Sequence, residues 1–555
     1  MKRTMLYGLS LLIGFWLIVF QVPNVSYGAP EPYVSTGFPK VVVVSGSNYD
    51  MGVQYGEQAA AAIGHNLAIM KSHLYEVHGK KNVDNDMKVW DFYNKEHDPG
   101  LQDWFKGIVK GCKKKKVKVS YNDLVLLMVY PTELWARPYS PYPEEASKKG
   151  KLKAARKKQL KAGITIPELN IEEKKHHSCN SFAATGTATP DGKPILGITQ
   201  MVNDKAMDTV ILIAFPEDGS SWVSQPYAGR VNSNSAMNSS GFAWSMTAIL
   251  ADEPAWGLAP EAYFHYLAQY VTSPTAATAY LTTTPRAGVT GGFTMADAAG
   301  NISVYECNAL AFHSRVPGDQ GETDFTVMAN HLVDESLQIY NPPWLEPALG
   351  TFTRYDTVFQ FITEALGTID FSFAKSMFAS SDWYDADAAV WHYNEPGAPG
   401  ISNDHTSVNQ SIYFPADLVA YLQTGTASGN GLPAYATGEY VKIKLADDAN
   451  AVTAEAGNDA LSMYWETTDL FEYDSNDNAE YLTYEIAESI KEKLDEAFVA
   501  FSIGIDREAW ADLEEKDTNE KLSLYGEALT YYAKAQLHAQ MVKTQLNKLR
   551  SANGF

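Results

Sequence analysis

At residue 179 the hydrophobic pattern of this chain changes period, and that change constrains the fold more than any other feature. Upstream lies a basic stretch with almost no apolar residues, carrying Lys148, Lys149, Lys151, Lys153, Arg156, Lys157, Lys158 and Lys161. Downstream, short runs of β-branched and aromatic residues alternate with turn residues, the pattern of strands with one or both faces covered. The first two runs, 182–189 and 195–200, are joined by Pro190-Asp191-Gly192, where proline presets φ and glycine accepts a positive φ. Further strand runs are 209–215, 242–248, 302–307, 325–329 and 411–414, interrupted by helical spacing over 260–271 and 354–366. Strands and helices interleaved in this way predict a layered α+β domain.

The flanks read differently. Val41-Val42-Val43-Val44 predicts a strand that enters a helix at Ser47, with Asp50 three residues on as its capping partner. Gly52 and Gly56, four apart, leave that helix one smooth face for a close neighbour. From about Asn478, Leu, Tyr, Ala and Ile recur at helical spacing through 480–501 and 519–550, which predicts two or three long helices. The acidic stretch 466–477 before them reads as a loop.

Charge narrows the function. The 44 basic and 66 acidic residues leave −22, which excludes a chain dedicated to nucleic acid. Residues 101–178 hold 18 Lys or Arg, as many as the whole remainder from Cys179 onward, so the basic block reads as a solvated, protease-accessible spacer. At the N-terminus, Lys2 and Arg3 precede an apolar run over 5–20 and the small residues Ser26-Tyr27-Gly28-Ala29. That order predicts a secretion signal cut after Gly28, an exported (periplasmic or secreted) product, and no stable membrane insertion after its removal.

Three cysteines, Cys112, Cys179 and Cys307, leave at least one thiol free; Cys112 and Cys307 are the candidates to pair and tie the flanking segments together. Cys179 stands where a cleavable spacer meets the head of a hairpin. Scission of the Ser178–Cys179 bond would give it an α-amine, of ordinary pKa about 7.7–8.0, able to act as base for its own thiol. His176, His177, His331 and His405 have no metal-ligand spacing, and no Cys-x-x-Cys, Gly-x-Ser-x-Gly or P-loop motif occurs. No metal and no cofactor are expected.

These segments carry a resemblance. Gly46-Ser47 through Gly56-Glu57-Gln58, then Cys179-Asn180-Ser181-Phe182 and Asp191-Gly192-Lys193-Pro194-Ile195-Leu196-Gly197, resemble the acyl-CoA:6-aminopenicillanic acid acyltransferase family of self-cleaving N-terminal-nucleophile hydrolases. The family is related more distantly to choloylglycine hydrolases and phospholipase B-like proteins, and the resemblance spans roughly residues 41–427. Ala236-Met237-Asn238-Ser239-Ser240-Gly241-Phe242, Val327-Met328-Ala329-Asn330-His331 and Thr353-Arg354-Tyr355 are similar to its later motifs.

The resemblance implies a four-layer αββα sandwich with added C-terminal helices, divided into a signal peptide (1–28), an N-terminal fragment (29–144), a basic spacer (145–178), a catalytic core (179–430) and a helical extension (431–555). It implies autocleavage between Ser178 and Cys179, with Cys179 as nucleophile and base, Asn330 and Thr247 as oxyanion-hole residues, and Arg354 as electrostatic support. The substrate would be a small acylated molecule attacked at an amide or ester carbonyl, and the two fragments would stay associated. The plainer alternatives are a strand-end cap for Asn330, a helix-surface position for Arg354 and a core position for Thr247. One departure bears on activity: after Gly197 the family has an Arg-Asn-x-Asp or His-Asn-Thr pattern, whereas this chain reads Ile198-Thr199-Gln200-Met201-Val202-Asn203-Asp204. Thr199, Gln200 and Asp204 are the candidates to replace the missing contact to the amine. A phospholipase B-like lipid hydrolase and a noncatalytic binding protein on the same scaffold are the competing expectations.

Overall fold

The structure, a computed structural model, describes residues 38–138, 140–148, 150–162, 177–202, 207–249, 255–287, 290–343, 345–346, 350–380, 382–393, 407–423, 439–477 and 481–554. The expected signal peptide, Asp204 and spacer residues 149 and 163–176 lie outside them. The described chain is a mixed α/β structure with two large sheets and many helices.

Sixteen strands are described: β1 (Lys40–Gly46), β2 (His177–Ala184), β3 (Ile195–Val202), β4 (Val210–Pro216), β5 (Trp222–Ser224), β6 (Ser235–Asn238), β7 (Phe242–Ile249), β8 (Thr290–Asp297), β9 (Ile302–Cys307), β10 (Phe312–Arg315), β11 (Phe325–Met328), β12 (Trp383–Asp385), β13 (Val390–His392), β14 (Ser407–Phe414), β15 (Val419–Gln423) and β16 (Tyr440–Lys444). An eight-stranded sheet runs β1-β4-β5-β6-β7-β8-β9-β10, and a six-stranded sheet runs β11-β2-β3-β14-β15-β16. Only β1 and β4 pair in parallel, among the described pairs. The runs expected at 209–215, 242–248, 302–307, 325–329 and 411–414 all fall on strands. The β2–β3 hairpin turns through 185–194, with Gly192 at φ +76 as its turn chemistry requires.

Because side chains alternate across a strand, the two faces of each sheet join different cores. In the eight-stranded sheet, Val42, Val44, Leu212, Ala214 and Trp244 join a core shared with helices, while Val41, Val43, Ile211, Ile213 and Ala243 face the other way. There they meet Ala183, Leu196, Tyr413 and Ala420 of the six-stranded sheet. The outer face of that second sheet, through Phe182, Ala184, Ile195 and Ile412, packs on Val358, Ile362, Ala374 and Phe378.

The helix layer on the eight-stranded sheet comprises α1 (Asn48–Gln58), α2 (Ala60–His78), α3 (Lys80–His97), α4 (Pro99–Lys114) and α5 (Tyr121–Ala136), followed by α6 (Gly150–Ala162), then α7 (Pro260–Tyr270) and α8 (Pro274–Thr283). Helices α9 (Thr351–Glu364) and α10 (Phe371–Ala379) cover the six-stranded sheet, and α11 (Ala449–Asp477), α12 (Tyr484–Leu513) and α13 (Thr518–Ala552) close the chain. Ser47 caps α1 by accepting from Asp50 N at 3.2 Å. Gly52 and Gly56 meet Gly107 and Gly111 of α4 at backbone distance: a Cβ on Gly107 would lie 2.2 Å from Tyr49 O, and one on Gly111 2.1 Å from Val53 O.

Three expectations are corrected. Cys112 and Cys307 form no disulfide: Cys112 is buried in α4 within the helix layer, and Cys307 ends β9 with its thiol toward Gly291 O. The stretch 466–477 is not a loop but the last turns of α11. Thr467, Phe471 and Asp474 are buried at three- and four-residue spacing, so the acidic residues between them cover the solvent face of a helix. Part of the basic spacer is also helical, as α6, with Leu152 as its one buried residue among those described. In addition, β16 falls within the range assigned to the helical extension yet forms the end strand of the six-stranded sheet. Among the described residues no helix is long and apolar enough to cross a membrane.

Candidate active site

The alternation of β2 sets the site. Ala183 faces the space between the sheets and Phe182 the outer helices, so Cys179 and Ser181 point between the sheets and Asn180 outward. Cys179 is 7 % exposed. Its main-chain register partner on β3 is Gln200, and β2 continues back through Ser178 and His177, paired with Met201 and Val202. The bond expected to be cut is therefore held in a ladder on the Cys179 side of the spacer.

Two outside segments converge on this strand. Asn330 lies just beyond β11, the neighbour of β2, and its main-chain N–H donates to Thr351 Oγ1 at 2.8 Å. Helix α9 begins at Gly350, which has no side chain to cap it. Glu346 does so instead, accepting from Phe352 N at 2.6 Å, Thr353 N at 3.2 Å and Thr353 Oγ1 at 2.7 Å. That leaves Arg354 in the first turn of α9, aimed at β2 and fully buried, so it is not a helix-surface residue.

The bonds form a closed circuit. Cys179 N donates to Asn330 Oδ1 at 2.8 Å. Arg354 Nη2 donates to the same oxygen at 2.9 Å, and Arg354 Nη1 donates to Cys179 O at 2.8 Å and Asn180 Oδ1 at 2.7 Å. One planar guanidinium thus spans the carbonyl of Cys179 and the acceptor that holds its nitrogen. Asn330 Nδ2 donates at 2.8 Å to Ala248 O on the opposite sheet, locking the amide orientation.

Electrostatics follow from burial. Desolvation lowers the Arg354 guanidinium to about 10, with the Cys179 sulfur and the Glu346 carboxylate opposing that fall. His331, beside Asn330 and within hydrogen-bond distance of Thr351 Oγ1 at 3.0 Å, is pushed down to about 3 by burial and by the charges of Arg354 and Arg315. Its ring is neutral at any physiological pH. Among the described residues no group of His, Cys, Asp or Glu is arranged to hold a metal ion.

Of the residues expected from sequence, Cys179, Asn330 and Arg354 come together directly. Thr247 faces the same interlayer space on β7, one residue before the carbonyl that Asn330 holds, and its hydroxyl makes a long 3.5 Å contact with Gly292 O. Asn180, Thr351 and Glu346 were not expected. Asn180 stands inside the quoted Cys-Asn-Ser-Phe motif, and Thr351 lies three residues before Arg354; nothing in either position alone discloses its partner. Of the candidates for the missing amine contact, Gln200 is level with Cys179, whereas Thr199 pairs with Asn180 and accepts from Gln410 Nε2 at 3.3 Å.

Fold and site together define a mixed α/β protein whose buried, strand-borne cysteine is wired to an asparagine and an arginine. No family model matches the sequence. An uncharacterized protein of Archaeoglobus fulgidus is 23% identical over 245 residues, 42% of this chain and 37% of that one, so the match spans little more than a third of the relative's length. Among solved structures, penicillin V acylase from Agrobacterium tumefaciens is similar over 44% of this chain and 83% of its own, at 14% identity and a TM-score of 0.30. A mutant conjugated bile acid hydrolase from Clostridium perfringens is similar over 48% of this chain and 97% of its own, at 10% identity and a TM-score of 0.31.

Proposed function

We propose that this chain is an exported N-terminal-nucleophile hydrolase or acyltransferase of four-layer αββα architecture, which cuts itself between Ser178 and Cys179 and then attacks amide or ester bonds of small acylated molecules. The observation that carries this reading is the circuit in which Asn330 Oδ1 accepts from Cys179 N while Arg354 bridges that oxygen and Cys179 O.

In the first event the Cys179 sulfur attacks the Ser178 carbonyl carbon. The C–S bond forms, the C–N bond breaks, and the Cys179 nitrogen leaves with a proton as an amine. Water then hydrolyses the thioester, releasing the Ser178 carboxyl group and the thiol. The nitrogen that was an amide donor to Asn330 remains a donor to it after scission, so the circuit suits both states. With one N–H engaged there, the neutral amine keeps its lone pair for the thiol proton. The adjacent guanidinium disfavours a second positive charge on that amine and favours negative charge on sulfur. The second event repeats the first on an outside carbonyl, giving an acyl-thioester that water or an acceptor amine resolves. Asn330 Nδ2 spends one hydrogen on Ala248 O, and the other is the candidate donor to the developing oxyanion.

The two fragments are expected to remain together, because β1 and α1 belong to the same cores as the strands after Cys179. N-terminal sequencing of the mature protein tests the reading. Two chains, one starting at Cys179, are expected from the wild type and a single uncut chain from Cys179→Ala. An active wild-type preparation continuous through residue 179 would refute it.

A further inference from the structure

The described part of the basic spacer includes a helix whose charges have no counterpart among the described residues. Helix α6 is fixed on the helix layer by one side only. Leu152 is buried and Ala155 packs against the core. Arg156 Nε donates to Tyr142 O at 2.8 Å, and Gln159 Oε1 accepts from Tyr142 N at 3.1 Å. Tyr142 is itself anchored: its hydroxyl donates to Asp86 Oδ1 at 2.8 Å, and its ring lies 5.6 Å from that of Trp256. Residues 152, 155, 156 and 159 recur at helical spacing, so they define one side of α6 and thereby the side that faces outward.

That outward side is a row of lysines. Lys153, Lys157 and Lys161 follow one another at four-residue spacing over about 12 Å, with Lys151 and Lys158 on the flanks, and all five are exposed. Residues 150–162 contain no Asp or Glu. None of the five lysines has an ion pair among the described residues, whereas Lys80, Lys106 and Lys491, also exposed, sit against Asp84, Asp103 and Glu488. Like charges four residues apart destabilise a helix, and a chain of net charge −22 gains no solubility from them. The row is a local cost that an anionic partner would turn into a gain.

We propose that the lysine row of α6 is a docking face for anionic lipid headgroups, which holds the protein at a membrane surface without inserting into it. A cluster of about four to eight basic residues is what an anionic leaflet attracts. Two features favour lipid over nucleic acid. Leu160, 55 % exposed, stands three residues after Lys157 at the edge of the row, where an apolar side chain can enter the headgroup layer. The single arginine of α6, the residue type suited to bidentate phosphate contacts, is turned inward to Tyr142 O, and no aromatic residue on α6 offers a base a stacking surface. The inference goes beyond the chemistry proposed for Cys179 and does not depend on it.

The test measures co-sedimentation of the full chain, at low salt, with vesicles of phosphatidylcholine mixed with phosphatidylglycerol and with vesicles of phosphatidylcholine alone. Apolar attachment through residues 5–20 would act on both lipids alike, so the readout is the ratio of the two partition coefficients. One lysine near an anionic surface strengthens binding about fivefold, so the triple variant Lys153→Gln, Lys157→Gln, Lys161→Gln should lower the ratio about a hundredfold. The triple variant Lys80→Gln, Lys106→Gln, Lys491→Gln removes the same charge from ion-paired positions elsewhere and should leave the ratio unchanged. Salt near 1 M, where charges are screened within about 3 Å, should abolish the preference. A wild-type ratio near one, a ratio that survives the α6 substitutions, or an equal fall in both triple variants overturns the inference. Tighter binding of duplex DNA than of mixed vesicles at equal salt, lost in the α6 variant, also overturns it and gives the row to nucleic acid. Should a variant fail to fold, the wild-type ratio and its salt dependence decide.

Discussion

Replacing Arg354 by Met separates the arginine's effect on chemistry from its effect on stability. Among the described residues it donates hydrogen bonds to Cys179 O, Asn180 Oδ1 and Asn330 Oδ1. Asn330 Oδ1 keeps Cys179 N as a donor, so the substitution deprives two buried oxygens of the arginine's N–H, at about 1–3 kcal/mol each. Against that, desolvation holds the fully buried guanidinium at about 10, below its ordinary value, and methionine incurs no such burial cost. The two contributions oppose each other, so the melting temperature should fall by less than the lost hydrogen bonds alone would give. Processing should not escape so lightly: the guanidinium favours negative charge on the Cys179 sulfur and holds Asn330, the candidate oxyanion donor, and losing one such preorganised electrostatic contact typically slows a reaction by about 10²–10³. Arg354→Lys keeps the charge, but a single ammonium cannot span Cys179 O and the Asn330 acceptor together, and should restore only part of the rate. Cleavage would be followed on denaturing gels after purification of uncut precursor, alongside thermal melts of the same samples. Wild-type cleavage by Arg354→Met, or a loss of cleavage that merely tracks unfolding, would refute the assignment.

Other outcomes are checked more simply. Burial pushes Cys112 up to about 12 and Cys307 up to about 11, so iodoacetamide at pH 8 should leave both unmodified in native protein and label both in urea; mass mapping of a native digest decides. Gly107→Ala would force a Cβ to within 2.2 Å of Tyr49 O, and separating α1 from α4 should cost about 1–3 kcal/mol or more, read as a lower urea midpoint; an unchanged midpoint would contradict the contact. His331 is held at about 3 against an ordinary 6.5. Above pH 6.5 folded and unfolded states both carry the neutral ring, and below it only the unfolded state gains a proton. Stability therefore falls as pH drops from 6.5 toward 3, by about 2 kcal/mol at pH 5. His331→Gln should flatten the decline in urea midpoint between pH 7 and pH 5 by that amount, and an unaltered slope would count against a buried neutral ring.

What the sequence discloses here depends on how local the governing interaction is. The strand bearing Cys179 was legible because alternation from 182 onward reflects two different cores, one on each face. Gly52 and Gly56 announced a close neighbour, and Gly107 and Gly111 repeat the same four-residue spacing some fifty residues away, but spacing alone does not say that the two pairs meet. Acidic residues over 466–477 hid a helix because the burial signal rests on Thr467, Phe471 and Asp474 alone. The site divides in the same way. Cys179 declares itself by the change of period at its own position, and Asn330 and Arg354 by resemblance to short motifs. Asn180, Thr351 and Glu346 gain their parts only when β2, the end of β11 and the start of α9 meet.

The last helix supplies a reason for a chain cut at 179 to hold together that no single segment contains. A sandwich of two sheets leaves a free edge on the end strand of each, and such edges invite pairing with other chains. Here β1 ends one sheet and β16 the other, and α13 lies along both. Thr530 Oγ1 accepts from Val41 N at 2.9 Å. Gln536 Oε1 accepts from Lys442 N at 3.0 Å, and Gln540 both accepts from Tyr440 N at 3.3 Å and donates to Tyr440 O at 2.8 Å. Gly526 permits the approach, since a Cβ there would stand 2.9 Å from Val41 O. Side chains of one helix thus stand in for the missing neighbour strand on both edges. Because β1 precedes Cys179 and β16 follows it, the same helix bonds to both products of a cut at that position.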